Sequence, residues 1–147
     1  MKHTTGKIKA VHLLKFENND DFIAETEAFI KKKKIKTAFF VFLGGMKKGD
    51  IVSGPKKPVI PPDPSWNSFD NAWESFGVGS VFSGEDGKPQ VHIHTSLGRG
   101  KRALVGCLRK NAKVFIVVEA LMLELAGVNA VKGIDPATGI NMLKFLG

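Results

Sequence analysis

Runs of β-branched and aromatic residues, separated by turns rich in glycine and proline, are the sequence feature that most constrains this chain. Such runs predict β-strands, and they cover residues 8–16, 37–43, 51–53, 76–82, 90–97, 103–108 and 113–125. The run 37–43 is almost continuously apolar, which predicts a strand buried on both faces or covered by a partner. With no internal repeat and no composition break, we expect one sheet-rich domain over residues 1–147.

One helix is predicted directly after the first strand. Residues 18–21 supply a cluster of N-capping side chains, and residues at helical spacing follow them: Phe22, Thr26, Phe29, Ile30 and Lys33. Acidic residues come early in this segment, and the lysines at 31–34 come last. This order complements the helix dipole, so a structural role for the lysine run is favoured over DNA binding.

A proline-rich stretch follows the central strands. Gly44 and Gly45 are expected to end the strand before it, and five prolines within residues 55–68 disfavour regular pairing there. Irregular stretches of this length in compact domains are often functional. We interpret Trp66 and Trp73 as anchors that pin this stretch to the core, rather than as platforms on which bases stack.

Charge and cysteine content narrow the class of protein. The 22 Lys and Arg against 14 Asp and Glu give a formal charge of +8, which suits either plain solubility or a polyanionic partner such as nucleic acid. With one cysteine the chain has no internal disulfide, so a reducing compartment, the cytoplasm, is expected. No apolar run approaches the roughly 20 residues that span a membrane, and the N-terminus lacks the features of a signal peptide.

The His-x-His pattern at His92 and His94 is the clearest candidate for chemistry. In a strand, side chains two residues apart lie on one face, so the two imidazoles project together. A turn then reverses the chain. If Leu97 pairs with Arg102, Cys107 lies opposite His92 on the same face, at about 5 Å between Cβ atoms.

These three side chains would form a divalent-metal site. Two imidazoles and a thiolate suit Zn²⁺, with copper or nickel also compatible, and three protein ligands with an open position are typical of catalytic zinc. The alternative is a chance pair of histidines and a small buried cysteine, because the pattern alone is weak. His12, on the first strand, is interpreted as a core histidine with satisfied hydrogen bonds.

Motifs spread along the chain resemble a known family. Residues 85–98 read E-D-G-K-P-x-x-H-I-H-x-x-L-G, and a G-x-L motif follows at residues 106–108. Residues 19–22, 73–74 and 135–139 also match. In this order they resemble the plant and prokaryote conserved (PPC) domain, in its stand-alone prokaryotic form, over nearly the whole chain.

The resemblance implies an α+β fold with a mainly antiparallel, twisted sheet, one packed helix and a homotrimeric assembly. Family members usually carry a histidine where this chain has Cys107, and that histidine completes a three-histidine metal cluster. Cysteine also ligates metal, so the resemblance implies that zinc binding is retained. Lys15 stands where members tend to have arginine, which puts any role of that arginine in doubt. Acetolactate decarboxylase has a similar fold and zinc cluster, an analogy that transfers no activity.

Two functions follow as hypotheses. The first is a DNA-binding protein, since plant relatives join this domain to an AT-hook. This chain has no Arg-Gly-Arg-Pro element, so its contacts would be directed to phosphates and sensitive to salt. The densest basic cluster in the sequence comprises Arg99, Lys101, Arg102, Arg109 and Lys110.

The second hypothesis is a metal-dependent enzyme that acts on a small carbonyl or carboxylate substrate. A zinc-type ion on His92, His94 and Cys107 would polarise a substrate oxygen or lower the pKa of a bound water. Glu74, on the segment that enters the glycine-rich strand, is the candidate acid–base group.

Overall fold

Strands dominate the computed structural model, which describes residues 1–146. The elements follow in the order β1 (Lys7–Glu17), α1 (Phe22–Lys33), β2 (Thr37–Pro55), β3 (Pro64–Ser83), β4 (Pro89–Arg99), β5 (Arg102–Ala126), β6 (Ala130–Ile134) and β7 (Asn141–Phe145). Every pair of named strands is antiparallel. The prediction of an α+β domain with a mainly antiparallel sheet is therefore confirmed.

The longest strand, β5, organises the main sheet, whose strand order is β1-β5-β2-β3-β4. One edge of β5 pairs with β2, while the other edge pairs first with β4 and then with β1. Since β3 joins β2 to β4, the four strands β2, β3, β4 and β5 form a closed circuit of pairings. The β6–β7 hairpin forms a separate two-stranded sheet.

The strands are longer than the sequence pattern predicts. Gly44 and Gly45 do not end β2: Gly44 has a φ of +141°, and the register with β5 shifts between the two glycines. An added Cβ at Gly45 would lie 2.4 Å from the carbonyl oxygen of Phe115, so glycine allows β2 to bend closely past β5 and continue. The runs 103–108 and 113–125 likewise join into β5, and β3 begins inside the predicted irregular stretch.

The helix forms where the capping pattern predicts it. The Asp21 carboxylate accepts a hydrogen bond from the Ala24 amide at 3.1 Å, and Lys34 ends the helix in the left-handed conformation. Phe22 packs against Phe16 and Phe42, with ring centroids 4.8 and 4.7 Å apart. The helix therefore covers the inner face of the sheet and completes the core.

The opposite face of the sheet exposes apolar side chains. Leu13 is 83% exposed, Phe76 59% and Leu43 57%. Cross-strand pairing and the two-residue alternation of the strands place further exposed residues on the same side. We call this surface the apolar outer face, and it comprises Val11, Leu13, Val41, Leu43, Phe76, Val78 and Leu121. Of the two alternatives for residues 37–43, burial on both faces is wrong for the single chain, because Phe39, Val41 and Leu43 stay exposed within residues 1–146. Cover by a partner stays a prediction.

The two tryptophans have different environments. Trp73 is buried, and its indole N–H donates to the carbonyl oxygen of Asp70 at 2.6 Å, which confirms its role as an anchor. Trp66 is 54% exposed, so its interpretation as a core anchor is wrong. No helix in the described part of the chain is long and apolar enough to cross a membrane.

Candidate metal centre and its basic surroundings

The candidate ligands lie on β4, between β3 and β5. The alternation of this strand turns Ile93 and Thr95 into the core, where both are buried. His92 and His94 project from the other face and are exposed. The strand thus presents the two imidazoles side by side, as the sequence predicts.

The register of β4 and β5 differs from the predicted one. Arg99 pairs directly with Arg102 across a two-residue turn in which Gly100 has a φ of +59°, so Cys107 lies opposite His94 rather than His92. The predicted turn was four residues long, and shortening it moves the pairing by two residues. An even shift keeps each side chain on its face, which leaves the cysteine on the histidine face.

The three ligand atoms converge. The Nε2 atoms of His92 and His94 are 3.2 Å apart, and the ligand atoms of His92, His94 and Cys107 all lie within 4.8 Å of one another. Two nitrogens bound tetrahedrally to zinc would be about 3.3 Å apart, given bonds of about 2.0–2.1 Å. The separation of the two nitrogens therefore fits a zinc-type ion, and the sulfur lies near enough to serve as a third ligand.

The protonation state of His92 favours binding of a metal cation, whereas that of Cys107 opposes it. Although His92 is exposed overall, partial burial of its ring lowers its pKa to about 4, and the charges of His94, Lys132 and Arg109 act in the same direction. At neutral pH this ring is uncharged and offers a lone pair. Burial raises the pKa of the Cys107 thiol, against the opposing effects of Arg109 and a backbone hydrogen bond. Metal binding would have to displace that proton.

The candidate acid–base residue Glu74 is not brought to this cluster. It pairs with Gly98 on β4, whereas His94 pairs with Val78, four residues further along β3. Four residues of extended strand span roughly 13 Å. Glu74 instead lines a different cleft, beside Arg99 and the bulge of β5.

The candidate DNA-binding residues are divided between two regions. Arg99, Lys101 and Arg102 lie at the exposed tip of the β4–β5 hairpin, where the Arg102 guanidinium is 5.5 Å from the ring centre of Trp73. Further along β5, Arg109 lines a cleft that it shares with His92. The Lys110 ammonium is 5.8 Å from the ring centre of Trp66, outside that cleft.

The β6–β7 hairpin brings Lys132 and Asn141 close to the candidate metal ligands, and the sequence alone did not predict this. The amide N–H of Glu85, in the β3–β4 turn, donates to the carbonyl oxygen of Lys132 at 3.1 Å. The Asn141 side-chain amide donates to Gln90 on β4. Lys132 and Asn141 thus line one cleft with His92. No local pattern could have found them, because their position depends on how the hairpin packs.

His12 does not have the satisfied hydrogen bonds that we expected from the sequence. Its Nε2 atom is buried and has no hydrogen-bond partner within residues 1–146. The nearest carboxylate oxygen, of Glu124, is 3.6 Å away. Its ring packs edge-on against Phe29, so apolar packing holds the side chain.

A family model matches most of the chain. The model of the Plants and Prokaryotes Conserved (PCC) domain matches residues 3–126, which include all three candidate ligands. This is the family that the sequence motifs resemble, so that prediction is confirmed. A search of curated proteins gives no significant match.

Solved structures share the fold over the full chain. A metal-containing protein from Archaeoglobus fulgidus is 23% identical with a TM-score of 0.84, and all of each chain is covered. A plant- and prokaryote-conserved protein from Pyrococcus horikoshii is 21% identical with a TM-score of 0.84, covering 100% of this chain and 99% of the other. A candidate DNA-binding protein from Bacteroides thetaiotaomicron is 20% identical with a TM-score of 0.80, covering 97% of each.

Proposed function

We propose that this chain, which belongs to the Plants and Prokaryotes Conserved domain family, is a metal-binding protein that holds a zinc-type divalent cation on His92, His94 and Cys107. One observation carries the proposal, namely the convergence of the three ligand atoms within 4.8 Å. A thiolate and two imidazoles prefer zinc-type ions to Mg²⁺ or Ca²⁺. The description of the Archaeoglobus relative as metal-containing supports the proposal.

Metal analysis of purified protein tests this function. After dialysis against zinc and removal of unbound metal, about one zinc per chain is expected. His94→Ala and Cys107→Ala should lose that zinc, whereas His3→Ala, which removes an exposed histidine in the N-terminal segment, should keep it. Absence of bound metal from the folded wild-type protein would overturn the proposal.

DNA association is a second candidate function. The formal charge of +8 and the exposed hairpin tip with Arg99, Lys101 and Arg102 suit contacts with phosphates. The description of the Bacteroides relative as a candidate DNA-binding protein supports the same function. Such contacts position a protein on the duplex but do not read its sequence.

The salt dependence of binding to a short DNA duplex tests this second function. We expect the logarithm of affinity to fall linearly with the logarithm of salt concentration. Replacing Arg99 and Lys101 by Gln should flatten the slope by about 2, or roughly one for each phosphate-binding side chain removed. Lys88→Gln, in the β3–β4 turn, removes one charge elsewhere and should leave the slope unchanged. A failure to bind at low salt would exclude the DNA function.

The apolar outer face is the basis for proposing a homotrimer. An exposed apolar surface that spans several strands is unusual for a monomer and typical of an interface. The family resemblance implies that three copies assemble. His94 pairs with Val78 of this face, so the proposed metal centre lies at its edge.

The free thiol of Cys107 fits the reducing cytoplasm, where we place the protein.

A further inference from the structure

We propose that the cleft between β4 and the β6–β7 hairpin binds a small molecule that carries a carboxylate or phosphate group, held by Arg109 and Lys132. This inference rests on the proposed metal function in one respect: His92, a proposed metal ligand, also lines the cleft. The two cationic residues define the class of ligand. The proposal therefore extends the metal centre to an adjoining anion subsite.

The charge of the cleft walls favours an anionic ligand. The cleft has a volume of about 380 Å³, and its polar lining residues are Gln90, His92, Arg109, Lys132 and Asn141. None of the residues that line it is acidic. Two permanent positive charges, together with amide donors and no carboxylate, favour an anion over a cation or a neutral ligand.

The charges of Arg109 and Lys132 are not neutralised by the protein. Neighbouring lysines on the same side of the fold are neutralised locally, since Lys144 pairs with Glu85 at 2.7 Å and Lys88 with Asp86 at 3.6 Å. Within residues 1–146, Arg109 and Lys132 form no salt bridge. They are thus available to a ligand.

The hairpin fixes Lys132 in place. Its backbone is tied to the β3–β4 turn by a bridge to Gly84 and by the hydrogen bond from Glu85. The hydrogen bond between Asn141 and Gln90 joins β7 to β4 across the same cleft. A site built on strands holds its groups more precisely than one built on mobile loops.

Size and position favour a small molecule over a duplex. The cleft volume lies at the lower end of the range for small-molecule pockets, about 300–1,000 Å³. Because His92 belongs to both the cleft and the proposed ligand set, an anion there would lie beside the bound cation. The charge of that cation would add to those of Arg109 and Lys132. A carboxylate or phosphate is the chemistry that both cationic side chains recognise.

Calorimetric titration with inorganic phosphate and, separately, with pyruvate tests the proposal. At least one of the two anions should bind saturably to the zinc-loaded protein. Arg109→Gln and Lys132→Gln should each weaken that binding about tenfold or more, because each removes a charge-assisted contact. Lys88→Gln lowers the net charge equally, lies outside the cleft and should bind as the wild type does.

The outcomes separate this proposal from the metal function. If zinc-free protein still binds the anion through Arg109 and Lys132, only more weakly, the subsite stands whether or not the metal assignment does. If zinc binds but neither anion does, the subsite is wrong and the metal centre remains. Equal weakening in all three variants would show a general charge effect and overturn the proposal. Competition by a short DNA duplex for the bound anion would also overturn it, in favour of backbone phosphate.

Discussion

Cys107 shows at the residue scale how one side chain can serve packing and chemistry together. It is 5% exposed, and burial raises the pKa of its thiol, as for an inert core cysteine. Yet its sulfur lies within 4.8 Å of ligand nitrogens of two imidazoles. A buried thiol next to two nitrogen ligands is inert towards oxidants while protonated, and a metal ion can still deprotonate it.

Replacing the cysteine by serine tests the ligand role with little change in packing. Cys107→Ser keeps the size of the side chain but removes the soft thiolate, so zinc affinity should fall by more than about 100-fold. Competition with a chromophoric chelator measures this change. The melting temperature of the metal-free protein should stay close to that of the wild type. An unchanged zinc affinity would show that the sulfur is not a ligand.

The pH dependence of zinc binding follows from the same thiol. Because burial raises the pKa of Cys107, the proton must leave when zinc binds. Affinity should therefore increase with pH, by about tenfold per unit while the thiol is protonated. The pKa of His92 is lowered to about 4, so His92 should add no proton competition near neutral pH. Chelator competition between pH 6 and pH 8 measures the slope, and in Cys107→Ser this thiol-dependent slope should disappear.

At the scale of elements, the β4–β5 hairpin places the ligands. Its two-residue turn sets the register, and Gly106 beside the cysteine allows β2 to approach β5. An added Cβ at Gly106 would lie 2.3 Å from the carbonyl oxygen of Val52. Backbone atoms cannot yield to such a contact without a shift of the strand.

A matched pair of glycine substitutions tests this packing. Gly106→Ala should destabilise the fold by about 1–3 kcal/mol, the usual cost of overpacking. It should also weaken zinc binding, because Cys107 moves with the strand. Gly98→Ala, on the same hairpin, adds a Cβ with no atom within 4 Å and should change neither property. Chemical denaturation and chelator competition give the two readouts, and similar behaviour of both variants would contradict the explanation.

On the scale of the whole molecule, the apolar outer face has the largest consequence. The helix covers one side of the sheet. On the other side the β6–β7 hairpin reaches only the end near Phe82, and within residues 1–146 the side chains of the apolar outer face stay exposed. At the middle of this face, Leu121 on β5 pairs with Leu13 on β1 and with Val41 on β2. Removing such a surface from water stabilises an assembly by about 25 cal/mol per Å² of apolar area.

Charge placed in this face should prevent assembly. Leu13→Glu is expected to convert a trimer into monomers, because the carboxylate would have to be buried without a partner. Ile60→Glu, in the exposed connection between β2 and β3, makes the same chemical change outside the face and should leave the trimer intact. Light scattering after size-exclusion chromatography measures the mass. A monomeric wild type would show that the face has another role.

Features that depend on neighbouring residues could be predicted from the amino-acid sequence. The capping side chain of Asp21 and the spacing of Phe22, Thr26 and Ile30 predicted the helix. The two-residue alternation of β4 predicted that His92 and His94 share a face. The motifs around those histidines predicted the family.

Features that depend on distant residues emerged only from the folded chain. The register that sets Cys107 opposite His94 depends on a turn whose length the residues did not reveal. The continuity of β2 past Gly44 and Gly45 depends on pairing with β5, about 70 residues away. Lys132 reaches His92 because a separate hairpin folds back onto β4. Local preferences select the elements, and non-local packing decides which of their side chains meet.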